Sequence, residues 1–213
     1  MPTLPAPFDP ATERILPSAR VCRVHLFRHA EVVGAGERLC RGHIDVPLSP
    51  RGVQQTQATA SRWRGPYDRV YTSDLQRCTA LATELHGHAP LSVTARLREQ
   101  SMGDWEGISW ANLTQRDPAG TSAYWEDYVN ARPPGGESFG ELCSRVTDWW
   151  SEEKPEGNVA IVTHIGCIRA LVCSWLGLGA GEGLRFAPEY ASHSELLLAE
   201  AGVVIVKFGE TSQ

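Results

Sequence analysis

Apolar positions along the chain switch repeatedly between a period of two and a helical period. Val21-Cys22-Arg23-Val24-His25-Leu26-Phe27 is β-branched and apolar enough to predict a buried strand, and Asn158-Val159-Ala160-Ile161-Val162-Thr163 predicts a second. Between them, Ser49 to about Trp63 reads as a helix with Ser49 as N-cap and Pro50 at its first position. Arg69-Val70-Tyr71-Thr72 is a short strand, after which Ser73 or Asp74 is expected to cap a helix reaching about Leu85. Trp110 to Arg116 and Ser122 to Val129 are expected as short helices, ended by the Pro133-Pro134-Gly135-Gly136 break. Ser138 and Glu141 form a capping-box pattern opening a helix to about Glu152. A helix from Ile165 to Leu176 and strands at Leu196–Ala199 and Val203–Phe208 complete the chain. Strands alternating with helices imply an α/β layered domain with a largely parallel sheet, in which ligands gather at the carboxyl ends of strands.

At 213 residues the chain is long enough to bury a sizeable core without disulfides or a structural metal. Residues 1–20 carry Pro2, Pro5, Pro7, Pro10 and Pro17, which suit a loose extension better than a helix or strand. They show neither the charged start nor the apolar run of an export signal, so residues 21–213 are expected to form the working domain. A net charge of -5, from 20 basic and 25 acidic residues, argues against a nucleic-acid or anionic-membrane partner. No apolar run approaches the roughly 18 residues of a membrane span. The six cysteines, at 22, 40, 78, 143, 167 and 173, show no CxxC spacing and are expected to be reduced packing residues. That usage fits a cytoplasmic compartment.

Arg28-His29 follows directly on the first strand, and Thr163-His164 ends the strand near Val162. Arg77 lies three residues past Asp74, and Glu99 sits in Leu97-Arg98-Glu99. Each alone has an ordinary structural explanation. Together they place two histidines and two arginines at or just beyond strand carboxyl ends, a compact cationic pocket in an acidic protein. A phosphoryl group is the natural guest, because guanidinium forks match its oxygens.

Leu26-Phe27-Arg28-His29-Ala30-Glu31 resembles the Arg-His-Gly-Glu signature of the histidine phosphatase (phosphoglycerate mutase-like) superfamily. Ser73-Asp74-Leu75-Gln76-Arg77-Cys78-Thr79-Ala80 is similar to its second arginine motif. Leu97-Arg98-Glu99-Gln100 with Gly103-Asp104-Trp105-Glu106-Gly107 resembles its acid motif, and Val162-Thr163-His164-Ile165-Gly166-Cys167-Ile168-Arg169 its second-histidine motif. The blocks stand in family order and span Val21 to about Phe208. The resemblance implies a three-layer α/β/α domain and a two-step reaction without metal or other cofactor. His29 would attack phosphorus, while Arg28, Arg77 and His164 hold the phosphoryl oxygens. Glu99 would protonate the leaving oxygen and then take a proton from water, which requires a carboxyl kept protonated by its surroundings. Glu31, Asp104 and Glu106 are the competing carboxyls.

Two departures stand out. Ala30 replaces the family glycine, which would cost on the order of 1 kcal/mol if the position needs positive φ. Ala35 occupies the place of a frequent asparagine ligand, so Arg38 or Arg41 is expected to supply substitute donors, with Arg41 and Gly42 the expected further phosphate contacts. Mutases carry paired arginines after the tryptophan that matches Trp125, whereas Glu126 and Asp127 stand here and would repel a second phosphate. The Gly103-Asp104-Trp105-Glu106, Trp125-Glu126-Asp127-Tyr128 and Pro133–Phe139 blocks resemble the bacterial phosphatase branch, with spacing similar to alpha-ribazole phosphatases. Trp105, Trp110, Trp125 and Tyr128 are candidates to stack on a flat heterocycle. The expected substrate is therefore a small-molecule phosphomonoester, first alpha-ribazole 5'-phosphate in cobalamin lower-ligand assembly. A broad sugar and nucleotide phosphatase is the alternative, and a mutase or a non-catalytic phosphate-binding protein ranks below it. The sequence leaves a homodimer open.

Overall fold

The computed structural model describes residues 21–212, so the proline-rich segment 1–20 lies outside the described residues. Six strands make one sheet: β1 (Cys22–Arg28), β2 (Arg69–Ser73), β3 (Leu91–Thr94), β4 (Asn158–Thr163), β5 (His193–Ala199) and β6 (Gly202–Glu210). Their order is β3-β2-β4-β1-β5-β6. The first four in that order run parallel, and β5 and β6 add on antiparallel. The helices are α1 (Pro50–Arg62), α2 (Gln76–His86), α3 (Trp110–Arg116), α4 (Pro118–Glu126), α5 (Phe139–Glu153) and α6 (Ile165–Trp175).

Alternation along β4 assigns the layers. Val159 and Ile161 pack with Leu142, Trp149 and Leu171 of α5 and α6. Ala160 and Val162 enter a second core with Ala60, Cys78 and Leu81 of α1 and α2. Successive side chains of a strand point to opposite faces, so the sheet carries a helix pair on each side. Leu81, Leu142 and Leu171 are fully buried, and such burial contributes roughly 1.5–3 kcal/mol per side chain. The α/β domain with a largely parallel sheet expected from the pattern forms, in the three-layer α/β/α arrangement that the family resemblance implies.

Local signals succeeded where a cap was chemically explicit. Ser49 accepts from the Gly52 amide with Pro50 opening α1, and Ser138 and Glu141 complete a reciprocal capping box on α5. The expected Ser73 or Asp74 cap of α2 does not form: Leu75 occupies the cap position with no side-chain acceptor. Ser73 instead ends β2, and Asp74 is taken by the Arg98 guanidinium at 2.7 and 2.5 Å. The helix expected at Ser122–Val129 begins earlier, because Asp117 caps Pro118 by accepting from the Gly120 amide, and it ends at Glu126. Strand β3 escaped the pattern because it is four residues long and half-buried at the sheet edge. All six cysteines are free.

Beside the strand that leads to Arg28 runs a polar chain, half-buried at Asn158 and His25 and buried at His193. Asn158 donates Nδ2 to the Pro66 carbonyl, which turns its Oδ1 toward His25 Nε2 at 2.9 Å. His25 Nδ1 then meets His193 Nε2 at 2.8 Å, and His193 Nδ1 is buried without a partner. Both imidazoles are therefore held neutral. Burial lowers His25 from the usual 6.5, and burial with the neighbouring His25 lowers His193 to about 3.

Unfolded histidine takes up its proton near 6.5, so this contribution to stability is complete above that pH and is lost as pH falls toward the folded values. Urea unfolding from pH 7 to 4 should show stability falling steadily, with a shallower slope in His193→Gln. An unchanged slope in that variant would remove the pair as a cause.

Candidate active site

Strands β2, β4 and β1 lie side by side and parallel, so their carboxyl ends share one sheet edge. His29 follows β1, His164 follows β4 as the N-cap of α6, and Arg77 is the second residue of α2. The fold thus brings three sequence-distant groups to one place. The His29 and His164 ring centroids are 5.0 Å apart.

His29 donates Nδ1–H to the Ala30 carbonyl at 2.8 Å, leaving Nε2 as a lone-pair nitrogen. Burial, then the Arg77 and Arg28 guanidiniums, hold this imidazole well below the usual 6.5. Ala30 is fully buried and is not among the non-glycine residues with positive φ, so its methyl group adds no backbone strain. Arg77, also buried, donates Nη1 to Ile44 O and Nη2 to Gly42 O, both at 2.7 Å, and Nε to His164 Nδ1 at 3.3 Å. His164 Nε2 in turn donates to Ser73 Oγ at 3.0 Å, so both of its ring nitrogens are occupied. Burial, followed by His29 and the nearby guanidiniums, lowers its pKa well below 6.5. Arg28 donates Nη1 to Pro188 O at 2.8 Å and lies over the Tyr190 ring, 4.0 Å from its centroid. Its Nε is buried without a partner.

Glu99 reaches the same edge from a loop. Its carboxylate accepts from the Gln100 amide at 3.0 Å and from the Gly166 amide, in the first turn of α6, at 3.2 Å. The competing carboxyls are engaged elsewhere or lie apart from the cleft. Glu31 accepts from Ser49 Oγ, and Glu106 accepts from the His43 and Ile44 amides, both at 2.6 Å. Asp104 is exposed and does not line the cleft.

The cleft holds about 330 Å³ and is lined by Arg28, Arg41, Arg77 and Arg169, with Glu99 the one carboxyl among its described lining residues. Two expected contacts sit differently. Gly42 lies behind Arg77 and supports it through its carbonyl, whereas Arg41 lines the cleft with Nη2 donated to Val33 O and Gly34 O. His164 is fully buried beside His29 and accepts Arg77 Nε on its Nδ1. One wall is aromatic: Trp110, Tyr124, Trp125 and Tyr128 line it. Trp125 and Tyr128 are stacked within 8° at 5.8 Å, and Trp125 is 52% exposed. Trp105, expected there too, is instead core, packed with Cys40, Met102, Leu113 and Tyr124.

Arg169 and Tyr190 also line the cleft, although neither is among the expected site residues. Arg169 was findable, since it lies four residues past Ile165 and so shares the α6 face that carries Ile165 and Gly166 to the cleft. Tyr190 stands in an irregular segment with no periodicity to mark it.

The histidine phosphatase superfamily (branch 1) model matches residues 24–211. The chain belongs to that family. It is 31% identical to the adenosylcobalamin/alpha-ribazole phosphatase of Escherichia coli over 164 residues, covering 74% of this chain and 81% of that protein. It is 34% identical to the glucosyl-3-phosphoglycerate phosphatase of Mycolicibacterium vanbaalenii over 177 residues, 75% of this chain and 76% of that one. The alpha-ribazole phosphatase of Shigella flexneri superposes with a TM-score of 0.82 at 27% identity, over 88% and 96% of the two chains. The protein is a histidine-phosphatase-family phosphatase with a phosphoglycerate mutase-like fold. Among the described residues no helix is long and apolar enough to cross a membrane.

The burial of His29 beside two cations has a spectroscopic consequence. In the free enzyme its ring nitrogens should keep neutral-imidazole ¹⁵N shifts at pH 6 and below, with Nδ1 protonated. A titration midpoint at or above 6.5 would show that the guanidiniums do not govern this group.

Proposed function

We propose that the protein hydrolyses the phosphomonoester of a small nucleoside-like substrate, with alpha-ribazole 5'-phosphate as first choice, through a phosphohistidine on His29. The carrying observation is the pairing of a cationic cleft floor with the aromatic wall of Trp110, Trp125 and Tyr128. The half-exposed Trp125, lying parallel to the partly buried Tyr128, offers a flat face to a heterocycle, while the phosphate points to Arg28 and Arg77.

In this reading His29 Nε2 attacks phosphorus in line as the ester P–O bond breaks, with its Nδ1–H held by Ala30 O. The Arg28 and Arg77 guanidiniums hold the equatorial oxygens, and the unpartnered Arg28 Nε is a donor left for the ligand. Glu99 gives its proton to the departing substrate oxygen. Its carboxylate then takes a proton from the water that attacks the phosphohistidine, which releases inorganic phosphate and restores neutral His29. Protonation matters most for a poor leaving group such as a ribosyl oxygen.

The first test is chemical. Rapid quench with labelled substrate should trap an acid-labile, base-stable phosphoprotein that is absent in His29→Ala, with turnover abolished. Both should be indifferent to chelator, since guanidiniums supply the positive charge. Substantial hydrolysis by the alanine variant contradicts the covalent step.

A second reading follows from Arg169, a further cation on the same cleft that would suit a substrate carboxylate or sugar hydroxyl. It fits the similarity to glucosyl-3-phosphoglycerate phosphatases and the broad-specificity alternative. Substrate comparison separates the two. On the first reading kcat/KM should be highest for alpha-ribazole 5'-phosphate among nucleotides, sugar phosphates and phosphoglycerates. Trp125→Ala should then cost that substrate about 1 kcal/mol or more, and a phosphoglycerate much less. An equal loss across the panel, or a preference for acidic sugar phosphates, favours the second reading.

A further inference from the structure

The loop that carries Glu99 has no sheet ladder or long helix to hold it. It lies between a short 3₁₀ turn at Ala95–Leu97 and another at Gly103–Trp105. Its backbone groups still need partners; Thr163 Oγ1 and Cys167 Sγ donate to the Leu97 carbonyl, and two further side chains remote in sequence, Arg145 and Glu137, hold the residues on either side of Glu99. Arg145, on α5, donates Nη1 to Arg96 O at 2.7 Å and to Arg98 O at 3.1 Å, and Nη2 to Glu99 O at 3.4 Å. The same guanidinium is gripped by Glu137, with Nη2 to Oε1 at 2.5 Å and Nε to Oε2 at 3.3 Å. Glu137 Oε1 also accepts from the Ser101 amide at 3.0 Å, and the Glu137 carbonyl accepts from Gln100 Nε2 at 2.8 Å. The side chains of both partners are largely buried, and neither lines the cleft.

We propose that Arg145 and Glu137 are positioning residues that set where the Glu99 carboxyl sits over the reacting phosphate, a role that rests on the Glu99 acid reading above. One ion pair binds the carbonyls of residues 96, 98 and 99 and the amide of residue 101, so it fixes the loop on both sides of the acid. His43 Nε2 completes the clamp by donating to Glu99 O at 3.0 Å. Only a planar fork can serve these acceptors at once. A lysine ammonium has three donors on one atom and cannot reach three carbonyls and a carboxylate in that arrangement. The chemistry it serves is specific, because proton delivery to the leaving oxygen depends on carboxyl position, whereas attack by His29 on phosphorus does not.

The experiment uses kcat/KM, which reports transfer to His29 rather than the later hydrolysis, on an alkyl phosphate and on p-nitrophenyl phosphate. Glu99→Gln is the control and should lose far more on the alkyl ester. Arg145→Lys and Glu137→Gln should each lower the alkyl value by up to about 10²-fold, because a misplacement near 1 Å costs that much, and leave the aryl value within a few-fold. Combined with Glu99→Gln, neither should add a further loss on the alkyl ester, since the acid they position is already gone. Circular dichroism and melting of each variant are recorded alongside, and Glu137→Gln keeps the test open should Arg145→Lys fold poorly. Equal losses on both esters, or losses that multiply with that of Glu99→Gln, would overturn the positioning role while leaving Glu99 as the acid. If Glu99→Gln itself shows no ester dependence, the acid reading falls and this inference falls with it.

Discussion

A neutral imidazole has to persist between two guanidiniums, and the architecture around the cleft answers to that requirement. Burial strips water from His29 and disfavours its cation, and Arg77 and Arg28 push in the same direction. The arginines are in turn held by groups that do not cancel their charge: the carbonyls of Gly42, Ile44 and Pro188, the face of Tyr190 and the His164 imidazole. Away from the cleft the pattern reverses, with Arg98 on Asp74, Arg145 on Glu137 and Arg23 on Glu195. The hydrogen-bond acceptors that hold Arg28 and Arg77 at the floor are thus all neutral groups. The carbonyl acceptors come from loop residues 42 and 44, and the imidazole from the end of β4, so the floor requires β2, β4 and β1 to end at one edge.

The chain announces this arrangement unevenly. Buried strands are legible because β4 is apolar on both faces and β1 carries the apolar run Val24, Leu26 and Phe27, and their carboxyl ends point directly to His29 and His164. Capping by Ser49 and Ser138 is legible because a hydroxyl with the right neighbours has one obvious use. The cap of α2 is not, because Ser73 and Asp74 carry competing partners in His164 and Arg98 that only the fold brings near. Long-range contact also hides the division of labour between the histidines. Both follow buried strands, yet one faces the cleft and the other has both nitrogens occupied. Nothing in their local sequence distinguishes those fates.

The aromatic residues show the same limit in another form. Trp105, Trp110, Tyr124, Trp125 and Tyr128 form one connected set of edge and stacked contacts, in which Trp105 meets Trp110 and Tyr124, and Trp125 meets Tyr128. Sequence can list them, but only burial ranks them: Trp105 is 5% exposed and Trp125 52%. Trp105 belongs to a small core under the cleft wall, and Trp125 is the exposed member of the wall itself. A flat ligand placed against Trp125 would therefore rest on rings already braced by their neighbours, so little ordering entropy would remain to be lost on binding.

Two family positions show how differently the same methyl group weighs. At Ala30 the extra carbon replaces the family glycine, yet the backbone there keeps ordinary dihedrals and the side chain simply fills buried space. At Gly166 a Cβ would come within 2.1 Å of Glu99 Oε1, closer than real carbon contacts allow. The amide of that residue is one of the unpaired donors of the first turn of α6, and the Glu99 carboxylate occupies it. A larger residue would drive the carboxyl away from its donor. Glycine is thus dispensable beside the nucleophile, whereas beside the acid the missing Cβ leaves the Glu99 carboxyl room to reach the backbone donor.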